Sequence, residues 1–134
     1  MTTVLFACVR NAGRSQMAAA LFNQLADSRK ARAVSAGTTP DPHVHPEVVH
    51  AMREVGIDLS GAATTLLTPE VAAHAQWLIT MGCGEECPFV PGVKREDWAL
   101  DDPKGKSVEE VRSIRDKVRH NVAALLHREG WTAS

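Results

Sequence analysis

The apolar run TTVLFACV at residues 2–9 limits the possible folds more than any other stretch of this chain. It is short, and apolar at every position after Thr3, as expected of a strand buried on both faces. Such a strand needs a covering layer on each side. From Ser15 the period changes to helical, with Met17, Leu21 and Leu25 on one face and Ala18 and Phe22 flanking it. ARAVSAG at residues 31–37 reads as a second strand closed by Gly37. The three prolines of TTPDPHVHPE at residues 38–47 predict a loop. Val48, Met52 and Val55 then predict a helix that Gly56 can end. Thr68-Pro69-Glu70 is a helix start, with a cap, a proline at the first position and an acid near the dipole. AQWLITM at residues 75–81 is a third buried strand, leading straight into Gly82-Cys83-Gly84. A further short strand is expected near EDWAL at residues 96–100. The last helix has Ser107 and Glu110 as a capping box and an apolar stripe of Val108, Val111, Ile114, Val118, Val122 and Leu125.

Strands alternating with amphipathic helices predict a parallel sheet with helices on both faces. The 134 residues suffice for one domain with a real core, and no linker divides residues 1–134. In such sheets the working groups gather beyond the carboxyl ends of the strands. Cys8 and Cys83 both follow predicted strands, so both are expected on that edge.

Cys8, Cys83 and Cys87 make an odd cysteine count, which argues against a secreted disulfide framework. The loop between Cys83 and Cys87 is too short for its closure to stabilise the fold much, so the thiols point to chemistry. The net charge of −1, from 15 basic and 16 acidic side chains, gives no field for nucleic acid or an anionic membrane. No apolar stretch approaches the ~20 residues that span a bilayer, and the N-terminus lacks the pattern of a signal peptide. A cytoplasmic protein is expected.

A strand, a loop containing Gly13 and a helix start form an anion cradle. The backbone N–H groups of Val9, Arg10, Asn11, Ala12, Gly13, Arg14 and Ser15 can converge there, and the helix dipole adds positive potential. Arg14 supplies a fork that can grip two oxygens of a tetrahedral oxyanion. Amides and a guanidinium favour the thiolate of a cysteine placed among them, and Ser15 can hydrogen-bond the sulfur. Asn11 suits a position of positive φ, with its side chain tying the loop to itself. A lone cysteine at a strand end is more often an inert core residue. The C-x5-R-S spacing and the helix start that follows argue against that here.

Three blocks, CVRNAGRSQMA, ITMGCGEECP and EDWALDDPKGKSVEEVRSIRD, resemble the low-molecular-weight tyrosine phosphatase superfamily, and within it the arsenate reductases that share that fold. With VSAG and VGIDLSG between them, the likeness covers nearly the whole chain. It implies a three-layer α/β/α domain with a four-stranded parallel sheet. It also implies reduction of arsenate to arsenite, with Cys8 as nucleophile, Arg14 as oxyanion clamp and Ser15 supporting the thiolate. Asp102, directly before Pro103, matches the general acid, with Asp101 as the alternative. Cys83 would attack the Cys8 adduct, and Cys87 would resolve Cys8–Cys83 into Cys83–Cys87. The resemblance implies no tightly bound cofactor or metal, electrons from reduced thioredoxin, phosphate or sulfate as substrate mimics, and a monomer. Glutaredoxin or a low-molecular-weight thiol are the other donors that fit.

The chain departs from the family pattern in several places. Gly13 stands where many reductases have another cysteine, and Arg10 replaces a common loop glycine. Ala19 and Thr64-Thr65 occupy positions where relatives bind potassium through carboxylates. The relay cysteines are four positions apart, closer than in well-known thioredoxin-coupled relatives. The chain has no tyrosine, so the paired tyrosines after Asp-Pro in eukaryotic-type phosphatases are missing.

Two other functions fit the same residues: a phosphatase hydrolysing aryl phosphates, and a non-enzymatic thiol sensor of arsenite or metal. The second needs neither clamp nor acid. Cys83-x3-Cys87 has no partner pair for zinc. His43 and His45 are expected to be solvated, His50 and His74 have no evident partner, and Trp77 is expected in the core. Trp98 is expected either beneath the loop carrying Asp101 and Asp102 or in the core. KVRHN at residues 117–121 reads as a solvated helix face.

Overall fold

A computed structural model describes residues 1–81 and 92–132. The elements run β1 (Thr2–Cys8), α1 (Arg14–Leu25), β2 (Ala31–Gly37), α2 (Pro46–Arg53), α3 (Pro69–Ala73), β3 (Trp77–Thr80), β4 (Lys94–Asp97) and α4 (Val108–Glu129). The four strands form one sheet in the order β2-β1-β3-β4, with every pairing parallel. The predicted three-layer α/β/α class is therefore the observed one.

β1 lies in the middle of the sheet, and its alternation divides the core. Val4, Phe6 and Cys8 face a large apolar cluster that includes Met17, Leu21 and Phe22 of α1, Val48 and Met52 of α2, and the α4 stripe from Val111 to Leu126. Leu5 and Ala7 face the opposite way, into a smaller cluster with Leu67, Ala72 of α3 and Leu78. A period of two with both faces covered produces the continuous apolar run seen in the sequence. Phe6 is fully buried against Phe22 and Trp98, with ring centroids 6.0 and 5.5 Å away. Such aromatic pairs add about 0.5–1.5 kcal/mol beyond the area they bury. No helix among the described residues is long and apolar enough to cross a membrane.

The fourth strand lies earlier than expected. It runs from Lys94 to Asp97, and Trp98, Ala99 and Leu100 follow it. Its sequence, KRED, is largely exposed because β4 is an edge strand. Charged side chains on an edge deter pairing with other chains, and they also remove the apolar signal that would reveal the strand. α1 begins one residue before the predicted start. The Ser107–Glu110 capping box of α4 is present as predicted.

α2 is tied to α4 by charge. Glu54 accepts from Arg112 at 2.6 and 2.9 Å and from Arg115 at 2.9 Å, and His50 lies 3.6 Å away. Hydrogen bonds from Arg112, and then from Arg115, lower the Glu54 pKa from its ordinary 4.5 to about 2. A depressed carboxylate stabilises the fold fully above its ordinary value, and that contribution disappears as the pH falls from there through about 2. Glu54→Gln is therefore expected to lower the thermal midpoint at pH 7 and to lose less stability than wild type between pH 5 and pH 2. A midpoint-against-pH series compares the two slopes directly.

Candidate active site

The site begins where β1 ends. Cys8 is paired with Gly37 across the β1–β2 ladder, and Ala7 is paired with Thr80 across β1–β3. β2 lies on one side of β1 and β3 on the other, so the loop after β1 opens at the point where the strand order reverses. Ligands of open α/β sheets bind at such points.

The loop is held open by its own carbonyls. Those of Cys8, Val9, Arg10 and Ala12 accept the N–H groups of Thr38, Thr39, Asp41 and His45 at 3.2, 2.7, 2.9 and 3.0 Å. The Asn11 carbonyl accepts from Gln16 Nε2 at 3.1 Å, and the Gly13 carbonyl from the Met17 N–H at 2.9 Å. A trans peptide points its N–H away from its C=O, and no peptide here is cis. The N–H groups of residues 9–14 are therefore turned into the hollow of the loop. That of Asn11 reaches the Cys8 sulfur at 3.3 Å. α1 has no side-chain cap and no acid in its first turn, unlike α3, which Thr68 caps, and α4. Its first N–H groups are left for an anion.

Cys8 is buried, and its sulfur lies 2.9 Å from Ser15 Oγ. Asn11 Nδ2 donates to that same oxygen at 2.8 Å. With Asn11 supplying one hydrogen, the Ser15 hydroxyl can direct its own at the sulfur. Asn11 has φ 51°, the positive value expected of it. Its Oδ1 accepts from the Thr65 N–H at 2.8 Å and from Gln16 Nε2 at 3.3 Å. Gln16 Nε2 also donates to the Ala63 carbonyl at 3.0 Å.

Arg14 is buried although it is charged. Its Nη1 donates to the Leu100 carbonyl at 3.2 Å, and its Nη2 lies 3.7 Å from Asp102 Oδ2. Nε is buried with no partner among the described residues. A buried guanidinium N–H without an acceptor is costly, and an oxyanion is the kind of ligand that could supply one. Asp102 and Asp101 are separated by this geometry. Asp102 turns toward Arg14, while Asp101 lines a surface cleft with Lys106, Glu110, Ser113, Ile114 and Lys117.

Arg10 turns to Asp41, with Nη1 to Oδ1 at 3.2 Å, and His45 Nε2 meets Asp41 Oδ2 at 2.9 Å. Hydrogen bonds from His45 and Arg10 hold the Asp41 carboxyl below its ordinary range. The expectation of a solvated His45 is thus corrected, because it is half-buried against Asp41 beneath the cradle. His43 is exposed, and His50 has Glu54 as a partner. Trp77 is buried, and Trp98 is half-buried against Phe6 at the start of the segment bearing Leu100 and Asp102. Cys83 and Cys87 lie outside the described residues. The Met81 N–H donates to the Ala7 carbonyl at 2.7 Å. Among the described residues no three His, Cys, Asp or Glu side chains stand close enough to hold a metal ion.

Three parts of the site had no signal in the sequence. Gln16 is a buried polar residue in the first turn of α1, and only its burial marks it out. The Leu100 carbonyl and the Thr65 N–H act through the backbone, so no side chain announces them.

The chain matches the low molecular weight phosphotyrosine protein phosphatase family over residues 3–130. Arsenate reductase 1 of Staphylococcus epidermidis is 34% identical over 131 residues, covering 94% of this chain and 96% of that protein. A thioredoxin-dependent arsenate reductase of Corynebacterium glutamicum superposes with a TM-score of 0.81 at 35% identity. That match covers 96% of this chain but only 61% of the longer Corynebacterium chain. An arsenate reductase solved in its phosphate-binding state superposes with a TM-score of 0.79 at 33% identity, covering 96% and 98% of the two chains. A match across almost the entire sequence, joined to a cysteine cradle of this geometry, places the chain in the low molecular weight phosphotyrosine protein phosphatase family.

Proposed function

We propose that this protein reduces arsenate to arsenite, drawing electrons from thioredoxin. The observation that carries this reading is the Cys8 sulfur, which receives the Asn11 N–H and adjoins Ser15 Oγ at the base of a loop of inward N–H groups. Arg14, with its unpartnered Nε, stands beside it. The named activities of the relatives support the substrate, and the phosphate-binding state of one neighbour supports a tetrahedral oxyanion in the loop.

The chemistry balances over three thiols. The Cys8 thiolate attacks arsenic(V), and Asp102 protonates the departing oxygen, which leaves as water. Cys83 then attacks the Cys8 sulfur. The electron pair of the sulfur–arsenic bond stays on arsenic, giving arsenite and a Cys8–Cys83 disulfide. Cys87 attacks the Cys83 sulfur and frees Cys8 as a thiolate. A thioredoxin dithiol returns two electrons to Cys83–Cys87. Phosphorus(V) is not readily reduced by a thiol, so the same cradle presented with an aryl phosphate can only hydrolyse it. This is the second reading, and the family match favours it as a side activity.

The test is arsenite formation by wild type and Cys87→Ser with thioredoxin, its reductase and NADPH. Wild type is expected to turn over, and Cys87→Ser to stop after one equivalent. Normal turnover by Cys87→Ser would remove Cys87 from the path and place the donor's attack earlier. Hydrolysis of aryl phosphate by a wild type that makes no arsenite would replace the reductase with a phosphatase.

A further inference from the structure

Gly13 is the residue of the cradle on which the loop bearing Asp102 rests. A β-carbon at Gly13 would lie 2.4 Å from Pro103 Cγ and 3.3 Å from its Cδ, but 3.7 Å from its Cβ. Pro103 is buried, although Asp102 and Lys104 on either side of it are exposed. Asp102 Oδ1 accepts the Lys104 N–H at 3.0 Å, and the Pro103 carbonyl accepts the Lys106 N–H at 3.1 Å. The turn is closed on itself, so a push on Pro103 is passed to Asp102. The other carboxylate oxygen of Asp102 is the one 3.7 Å from Arg14 Nη2.

We infer that Gly13 is a positioning residue for proton transfer: its missing side chain lets Pro103 seat on the cradle and sets Asp102 over the bound oxyanion. The inference rests on the reading that Asp102 protonates the departing oxygen. As Pro103 is seated in this chain, a β-carbon at Gly13 must part from it by about 1 Å, the gap between 2.4 Å and the 3.4 Å at which ordinary contact begins. A displacement of that size at a reacting group costs on the order of a hundredfold in rate.

The test compares full-length wild type, Gly13→Ala, Pro103→Ala and the double variant. Gly13→Ala is expected to lower kcat for arsenate by about ten- to a hundredfold, as a displaced general acid would. Its affinity for inorganic phosphate, measured by calorimetry, is expected to fall far less than kcat, because Arg14 and the loop amides still face the anion while the acid is displaced. Pro103→Ala removes the Cγ and Cδ atoms and leaves only the Cβ at 3.7 Å. The double variant should therefore be about as active as Pro103→Ala alone.

Wild-type turnover by Gly13→Ala overturns the inference. So does a double variant no better than Gly13→Ala, or a fall in the phosphate affinity of Gly13→Ala as large as its fall in kcat, since either means the methyl has damaged the cradle itself. If wild type binds phosphate and makes no arsenite, the reductase reading fails separately. The same four proteins are then compared on aryl phosphates, where a lifted acid gives a defect that grows with the basicity of the leaving group. An equal defect for all leaving groups, or no hydrolysis at all, overturns the inference there too.

Discussion

Arg14→Lys is expected to lower arsenate reduction by about a hundred- to a thousandfold, the range seen when one preorganised oxyanion donor is lost. The substitution keeps the charge, so the size of the loss reports geometry. The guanidinium uses one arm on the Leu100 carbonyl, turns another toward Asp102 and keeps a buried Nε with no partner among the described residues. A lysine ammonium is a compact point charge on a flexible stem and cannot face three directions at fixed angles. It can hold the carbonyl or the oxyanion, but not both. Single-turnover arsenite release, read beside inorganic phosphate affinity and the thermal midpoint, separates the effects. The expected result is a fall in both rate and affinity with a small change in midpoint. Wild-type turnover by the lysine variant would mean that charge alone suffices and that the loop amides supply the geometry.

Gly37→Ala is expected to damage fold and site together. A methyl at Gly37 would lie 2.7 Å from the Asn11 nitrogen, 2.7 Å from the Val9 oxygen and 2.9 Å from Asn11 Cβ. Two of these atoms are backbone and cannot rotate away. Gly37 is also fixed by the ladder opposite Cys8, with its N–H on the Thr65 carbonyl and its own carbonyl on the Leu67 N–H. The strain therefore falls on the loop, where Asn11 holds its positive φ and directs its N–H at the sulfur. Overpacking of this kind costs about 1–3 kcal/mol. Denaturant titration should show that loss, accompanied by a fall in turnover of at least about tenfold from the misplaced donor. Pro103→Ala should give no rescue, because Pro103 is not among the atoms crowding Gly37. A variant with unchanged midpoint and turnover would show that the cradle tolerates a shift of this size.

Much of the site was legible because it is local. Cys8, Asn11, Arg14 and Ser15 fall within one strand end, one loop and one helix turn, so the motif places them together before any tertiary fold is considered. Asp102 is singled out in the sequence only by its Pro103 neighbour and the family likeness, and in the fold it lies 3.7 Å from Arg14 while Asp101 lines a separate cleft. β4 overlaps EDWAL but begins two residues ahead of it, because an edge strand of charged residues has no apolar period to fix its ends. His45 was misjudged because a histidine between prolines resembles a solvated one until Asp41 is folded against it.

By itself, the sequence determined the α/β class, the central buried strand, the capped final helix and the placing of a thiol, an arginine and a hydroxyl around one loop. Each of these is written in residues a few positions apart, where period, capping and loop chemistry act. Only the tertiary structure decided what holds that cradle in shape. The Leu100 carbonyl on Arg14 comes from 86 residues away and the Thr65 N–H on Asn11 from 54. The approach of Pro103 to Gly13, and of the Val9–Asn11 backbone to Gly37, likewise joins distant segments. Backbone donors and acceptors are the same for almost every residue type, and a close approach is defined by an atom that is missing. Neither leaves a mark in the amino-acid sequence until the chain has packed.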